Sequence, residues 1–109
     1  MLSTDIWVAA LIRRVELAGS FATVARKGDA RAGSVLIKAL NRSDGTVNLF
    51  CEATRGDGER VWMRPLPSTD EDELDRYVTR SSRVDPDIWV VEIEDKSGRH
   101  FLTEPVESD

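Results

Sequence analysis

From Ser34 to Glu52 the chain runs SVLIKALNRSDGTVNLFCE, two stretches of alternating side chains around a polar break. A period of two sends successive side chains to opposite faces of a strand. In the first stretch Val35, Ile37 and Ala39 form one set, and Leu36, Lys38 and Leu40 form the other. Both sets carry apolar groups, which predicts a strand inside a sheet with cover on each side. In the second stretch Val47, Leu49 and Cys51 give one clean apolar face. Asp44-Gly45 suits a type I turn closed by a glycine at positive φ, so the two stretches predict a β-hairpin. A slip of one residue would turn Val47 and Leu49 to water, and this pins the register.

The flanks add layers to that hairpin. Ser3 or Thr4 caps a predicted helix, with Asp5 in its first turn. Trp7, Val8, Leu11, Ile12, Val15 and Ala18 fall on one broad helical face, and Gly19 is a natural stop. Phe21 to Arg26 is a short strand candidate, and Lys27 to Gly33 is a loop. Arg60 to Leu66 is a further strand candidate beyond the polar loop Arg55 to Glu59, with Pro65 ending its ladder. Val61 and Met63 share one of its faces, Trp62 and Arg64 the other.

Ser68 with Glu71, and Thr69 with Asp72, have capping-box spacing ahead of a helix whose apolar stripe is only Leu74, Tyr77 and Val78. Pro86 ends it. Ile88 to Glu94 is a strand with Trp89, Val91 and Ile93 on one face. Lys96 to Gly98 turns the chain, and Arg99 to Thr103 is expected to pair back as a last strand. Residues 1–103 form one domain in this reading, and 104–109 form a short acidic tail expected to fray. The order α-β-β-β-β-α-β-β predicts the α+β class, a mostly antiparallel sheet of about five to six strands with the first helix packed on it. The second helix is a crossover that places the Ile88 strand parallel to a neighbour.

Length and composition agree with this picture. A chain of 109 residues, 40% hydrophobic and 32% charged, is one soluble-type domain that buries roughly two-thirds of its unfolded surface. Cys51 is the only cysteine, which excludes an internal disulfide and any multi-thiolate metal site. The longest apolar run, Ile6 to Ile12, is far too short to span a membrane; Asp5 precedes it and its positive charges, Arg13 and Arg14, follow it, unlike a secretory signal. A cytoplasmic location is expected. The net charge of −5 conceals a split: Met1 to Leu66 carries +3 and Pro67 to Asp109 carries −8. Such a total disfavours nucleic acid as a partner of the whole protein, but leaves room for a local basic patch.

Candidate chemistry is sparse. Pro86-Asp87 followed by Glu94-Asp95-Lys96 echoes a metal-dependent nuclease pattern, but one extended strand would hold Asp87 and Glu94 roughly 23 Å apart. His100, the lone histidine, would need Glu92, Glu94 or Asp95 beside it in a cleft to act as an acid or base. No metal-ligand spacing, P-loop or dinucleotide fingerprint is present, so no metal or cofactor is implied. The acids from Asp70 to Asp75 have a structural reason at a helix start. Two features remain as binding candidates. Arg26, Lys27 and Arg31 surround Gly28 in a loop suited to an anion or phosphate backbone. Trp62 and Arg64 would form a partner surface if their strand face is uncovered.

Four ordered blocks, DIWVAALIRR (5–14), VARKGDARAGSVLIK (24–38), VWMR (61–64) and RVDPDIWVVEIEDKSGRHFL (83–102), give the chain a wider resemblance. It resembles the bacterial domain-of-unknown-function family 1491, which is chiefly alphaproteobacterial. The resemblance implies a small stand-alone bacterial protein and no activity, cofactor or catalytic residue. The residues therefore favour a non-enzymatic module that binds another protein or itself. A binder of anions, nucleotides or nucleic acid through the loop at 26–31 ranks second. An enzyme using His100 ranks third.

Overall fold

A computed structural model describes residues 2–107. Helix α1 spans Thr4–Leu17, followed by β1 (Phe21–Arg26), β2 (Val35–Asn41), β3 (Val47–Thr54) and β4 (Arg60–Met63). Helix α2 (Glu71–Val84), β5 (Trp89–Asp95) and β6 (Val106–Glu107) complete the chain. The strands form one mixed sheet in the order β1-β5-β2-β3-β4-β6. The α+β class and the expected element order through β5 are therefore present. Two of the five pairings, β2–β5 and β4–β6, are parallel.

The hairpin at 35–54 is as the alternation predicts. Ile37 pairs with Phe50 and Ala39 with Asn48, and Gly45 sits at φ 76° with its N–H donating to the Asn41 carbonyl. Apolar groups on both faces of β2 meet two separate layers. Val35, Ile37 and Ala39, with Trp89, Val91 and Ile93 of β5, meet Trp7, Val8, Leu11 and Val15 of α1. Leu36, with Val90 and with Val47 and Leu49 of β3, meets Leu74, Tyr77 and Val78 of α2. The helix ends follow local chemistry. After α1, Gly19 (φ 82°) donates to Glu16 and Ser20 to Val15, a Schellman closure. The cap of α2 falls at Asp70, whose carboxylate accepts the Glu73 N–H at 3.0 Å, one or two residues after the expected Ser68 or Thr69. Ser68 instead donates to the Glu73 carboxylate.

The crossover through α2 inserts β5 between β1 and β2, so these two strands, consecutive in the chain, are not neighbours. The loop 27–34 must therefore pass over the start of β5. Its backbone lies against Asp87: the Asp29 N–H donates to the Asp87 carbonyl, and a Cβ at Gly28 or Gly33 would collide with that carbonyl oxygen. These glycines answer a close backbone approach. Trp89 clamps the crossing by donating its indole N–H to the Asp29 carbonyl at 2.7 Å.

The same insertion corrects the expectation for Arg99 to Thr103. Both edges of β5 are already taken, by β1 and by β2, so no edge is left for a returning hairpin partner. The segment instead coils: Phe101 has φ 60°, and the Leu102 N–H is accepted by His100 Nδ1. The expected frayed acidic tail is also corrected over residues 104–107. Trp62 donates its backbone N–H to the Pro105 carbonyl, β6 pairs with β4, and Glu107 bonds Arg55 at 2.6 Å. Ser108 and Asp109 lie outside the described residues.

Two buried charges lock the frame. Lys38, side chain 8% exposed, reaches Glu71 at 2.7 Å and Asp75 at 2.9 Å, tying the start of α2 to the sheet. Burial opposes its charge, but the hydrogen bonds to those carboxylates outweigh it and its pKa is raised. Asp95, fully buried, accepts from Ser20, Ser97, the Arg99 backbone and the Arg99 guanidinium. The Arg99 bonds outweigh burial and hold its carboxyl far below the ordinary 3.8.

Gly28→Ala or Gly33→Ala is expected to cost about 2 kcal/mol or more, because the obstacle is backbone and cannot swing aside. Urea unfolding of each variant, with Gly56→Ala in open space as a control, measures this. Asp95 sets a second expectation. The unfolded chain takes up the proton first, so this group's stabilisation is complete above pH 3.8 and drains away below it. Asp95→Asn should flatten that part of the stability–pH curve; an unchanged acid limb would contradict the assignment.

Candidate functional site

The residues singled out from sequence separate in the fold. Trp62 has no exposed surface. Its ring stacks on Trp7 with centroids 5.4 Å apart, and the two indole N–H groups donate to opposite oxygens of Glu104, at 3.1 and 3.2 Å. The Trp62 face is thus covered by α1, and Trp62 is core rather than partner surface. Arg64 lies beyond the end of β4, where its guanidinium donates to the Pro67 and Ser68 carbonyls on the way into α2. Arg26 is likewise occupied, donating to the carbonyls of Pro86 and Ile88 at 2.9 Å each. Asp29 turns its carboxylate inward to the N–H groups of Arg31 and Ala32. Lys27 and Arg31 remain exposed.

His100 is half-buried with its ring edge-on to Phe50, 5.0 Å between centroids, and burial lowers its pKa. Phe50 belongs to the α1 side of the sheet, whereas Glu92 faces Lys38 on the α2 side and Asp95 is committed to Arg99 and Ser20. The sheet separates His100 from Glu92, and Asp95 has no free oxygen for it. Among the described residues no group of three His, Cys, Asp or Glu is placed to hold a metal ion.

The feature that emerges instead lies beside β1. This six-residue strand ends the sheet, and among the described residues no strand pairs with its outer side. Helix α2 covers β2, β3 and Val90 of β5 but leaves the same face of β1 open. The result is a groove of about 330 Å³ with Val90 and Glu92 as floor, Ala25 and Arg26 on one wall, and Val78, Thr79 and Arg83 on the other. Phe21, 59% exposed, and Thr23 continue the same face of β1. Arg76, Arg80 and Arg83 follow one another along the outer turns of α2, and none makes an ion pair among the described residues. Their i, i+4, i+7 spacing was visible in the sequence; the signal was the change from an acidic first half of the helix to a basic second half.

The family model described as "Protein of unknown function (DUF1491)" matches residues 2–103. The chain belongs to the DUF1491 family. The resemblance carried by the four sequence blocks is therefore correct. A crystal structure of a DUF1491 family protein from Caulobacter crescentus CB15 is 74% identical, with a TM-score of 0.97 over 98% of this chain and 100% of that one. An NMR structure of a DUF1491 family protein from the same organism is 75% identical, with a TM-score of 0.92 over 98% of this chain and 97% of that one. A solution structure of a protein from A. tumefaciens is 34% identical, with a TM-score of 0.81 over 99% and 98% of the two chains. No curated protein matches. The family has no assigned function, as the resemblance implied. The mixed sheet and two helices are a DUF1491 fold.

Glu104 lies just outside the matched residues and yet supports the Trp7–Trp62 stack. Glu104→Ala would leave two buried indole donors without an acceptor, an expected loss of about 2–3 kcal/mol. Glu104→Gln, which keeps one accepting oxygen, should fall between. Chemical denaturation followed by tryptophan fluorescence separates the three, and an Ala variant as stable as the parent would refute the role.

Proposed function

We propose that this DUF1491 protein is a non-enzymatic binding module whose partner is an acidic, extended segment of another protein, laid along β1 and into the groove beside α2. The observation that carries this reading is the open outer edge of β1 next to an arginine-rimmed groove. An unpaired edge offers main-chain donors and acceptors to an added strand, and the groove offers pockets to its alternate side chains. Ala25, Val78 and Val90 supply apolar contact, and Arg80 and Arg83 supply the charge that selects acids over bases. The acidic start of α2, Glu71 to Asp75, repels the same segment at the other end and so sets its direction. The basic loop supports a nucleic-acid reading less well, because Arg26 is already bound to two carbonyls.

Peptide selection on the folded protein tests this. Enriched sequences should be acidic and rich in β-branched residues, and their binding should weaken with salt. Arg80→Glu with Arg83→Glu should weaken binding by at least tenfold, about 1.4 kcal/mol, and Ala25→Glu should do likewise. Binding indifferent to all three changes would sink the proposal. A concentration-dependent dimer that blocks β1 would also overturn it, assigning the edge to a second copy of the chain.

A further inference from the structure

A second cavity, on the far side of the sheet from the groove, is not used by that reading. It holds about 160 Å³ and lies where the start of α1, the loop into β2 and the β3–β4 end meet. That volume suits a molecule of a few heavy atoms rather than a nucleotide or a peptide. Trp7 and Ser34 line it together with three charged groups, Arg31, Arg60 and Glu52.

The charges in this cavity have both signs and are incompletely matched. Arg31 makes no ion pair among the described residues. Glu52 is more than half enclosed: one oxygen accepts the Val35 N–H at 3.0 Å, and the other meets Arg60 Nε at 3.4 Å, a long contact for a charged pair. Glu104 lies close enough to oppose the Glu52 charge. The start of α1 supplies no free donors in compensation, since the Thr4 and Asp5 N–H groups are bonded to the Arg31 and Ala30 carbonyls. A simple anion drawn to Arg31 would meet the Glu52 carboxylate, and a simple cation drawn to Glu52 would meet two guanidinium groups. A molecule with separated charges of opposite sign satisfies both walls.

We propose that this cavity binds a small zwitterion of the α-amino-acid class, its carboxylate on Arg31 and its ammonium group on Glu52, with the Trp7 ring alongside. Arg31, first marked by its place in a basic loop, thus serves a different site from Arg26 and Lys27.

The experiment is a titration of the intact protein with glycine, alanine and serine, followed through the Trp7 indole and Val35 amide NMR signals. Acetate, inorganic phosphate and methylammonium are the probes that carry charge of one sign only. The amino acids should shift both signals saturably, and the one-sign probes should bind at least tenfold more weakly. Arg31→Ala, at an exposed position whose side chain makes no ion pair among the described residues, should weaken amino-acid binding at least tenfold. Glu52→Gln should do the same, while Arg80→Glu with Arg83→Glu should leave it unchanged. Acetate or phosphate binding as well as the amino acids would reduce the site to an anion hole and overturn the proposal. So would the absence of a saturable shift, or affinity unaltered by Arg31→Ala. A failure of the groove reading leaves these outcomes untouched, because the two sites share no residue.

Discussion

The parallel pairing of β2 with β5 is the constraint on which the rest depends. Seven residue pairs, from Val35–Trp89 to Asn41–Asp95, join two strands that are distant in sequence. A parallel pair cannot be closed by a tight turn, so the chain needs a crossover, and α2 provides it. Both strands are then central and buried on both faces, which is why α1 and α2 must lie on opposite sides of the sheet. Placing β5 in the gap between β1 and β2 has two further effects: loop 27–34 must cross its start on glycines, and the chain after Asp95 has no strand edge to return to.

Burial of charge follows from the same arrangement. Lys38 sits mid-strand on the α2 face, where an unpartnered ammonium group would be costly. The acids at the start of α2 meet it there while also standing at the positive end of the helix dipole. Asp95 closes β5 and gathers Ser20, Ser97 and Arg99, so the end of the central strand, the start of β1 and the following turn share one anchor. These groups join elements that the hydrophobic layers alone would leave free to slide.

An α2 placed to serve β2 and β3 cannot also cover β1. The open groove is therefore a consequence of the crossover, as is the exposed face carrying Phe21. The other side of the sheet is closed more fully, by α1 and by the Trp7–Trp62 stack on Glu104. There the small charged cavity at the mouth of loop 27–34 opens. One face thus offers a long shallow surface and the other a compact polar pocket, which is why their proposed ligands differ in size and kind.

Local pattern alone determined a good deal: the hairpin at 35–54, both helices, the Ile88 strand, the crossover and the membership of the family. Each rests on near-neighbour periodicity, on turn chemistry or on residues adjacent in sequence. The fate of Arg99 to Thr103 and of Glu104 to Glu107 was not legible, because strand formation there depends on which sheet edges are already occupied. The candidate sites were legible only in part. Arg31 proved accessible, but Arg26 and Trp62 were absorbed by carbonyls and by a second tryptophan that are remote in the chain, and Arg64 by the carbonyls of Pro67 and Ser68 just beyond it. A side chain's type fixes what it can bind. Only the tertiary structure decides whether its donors and faces are already spent, because the groups that spend them come from elsewhere in the sequence.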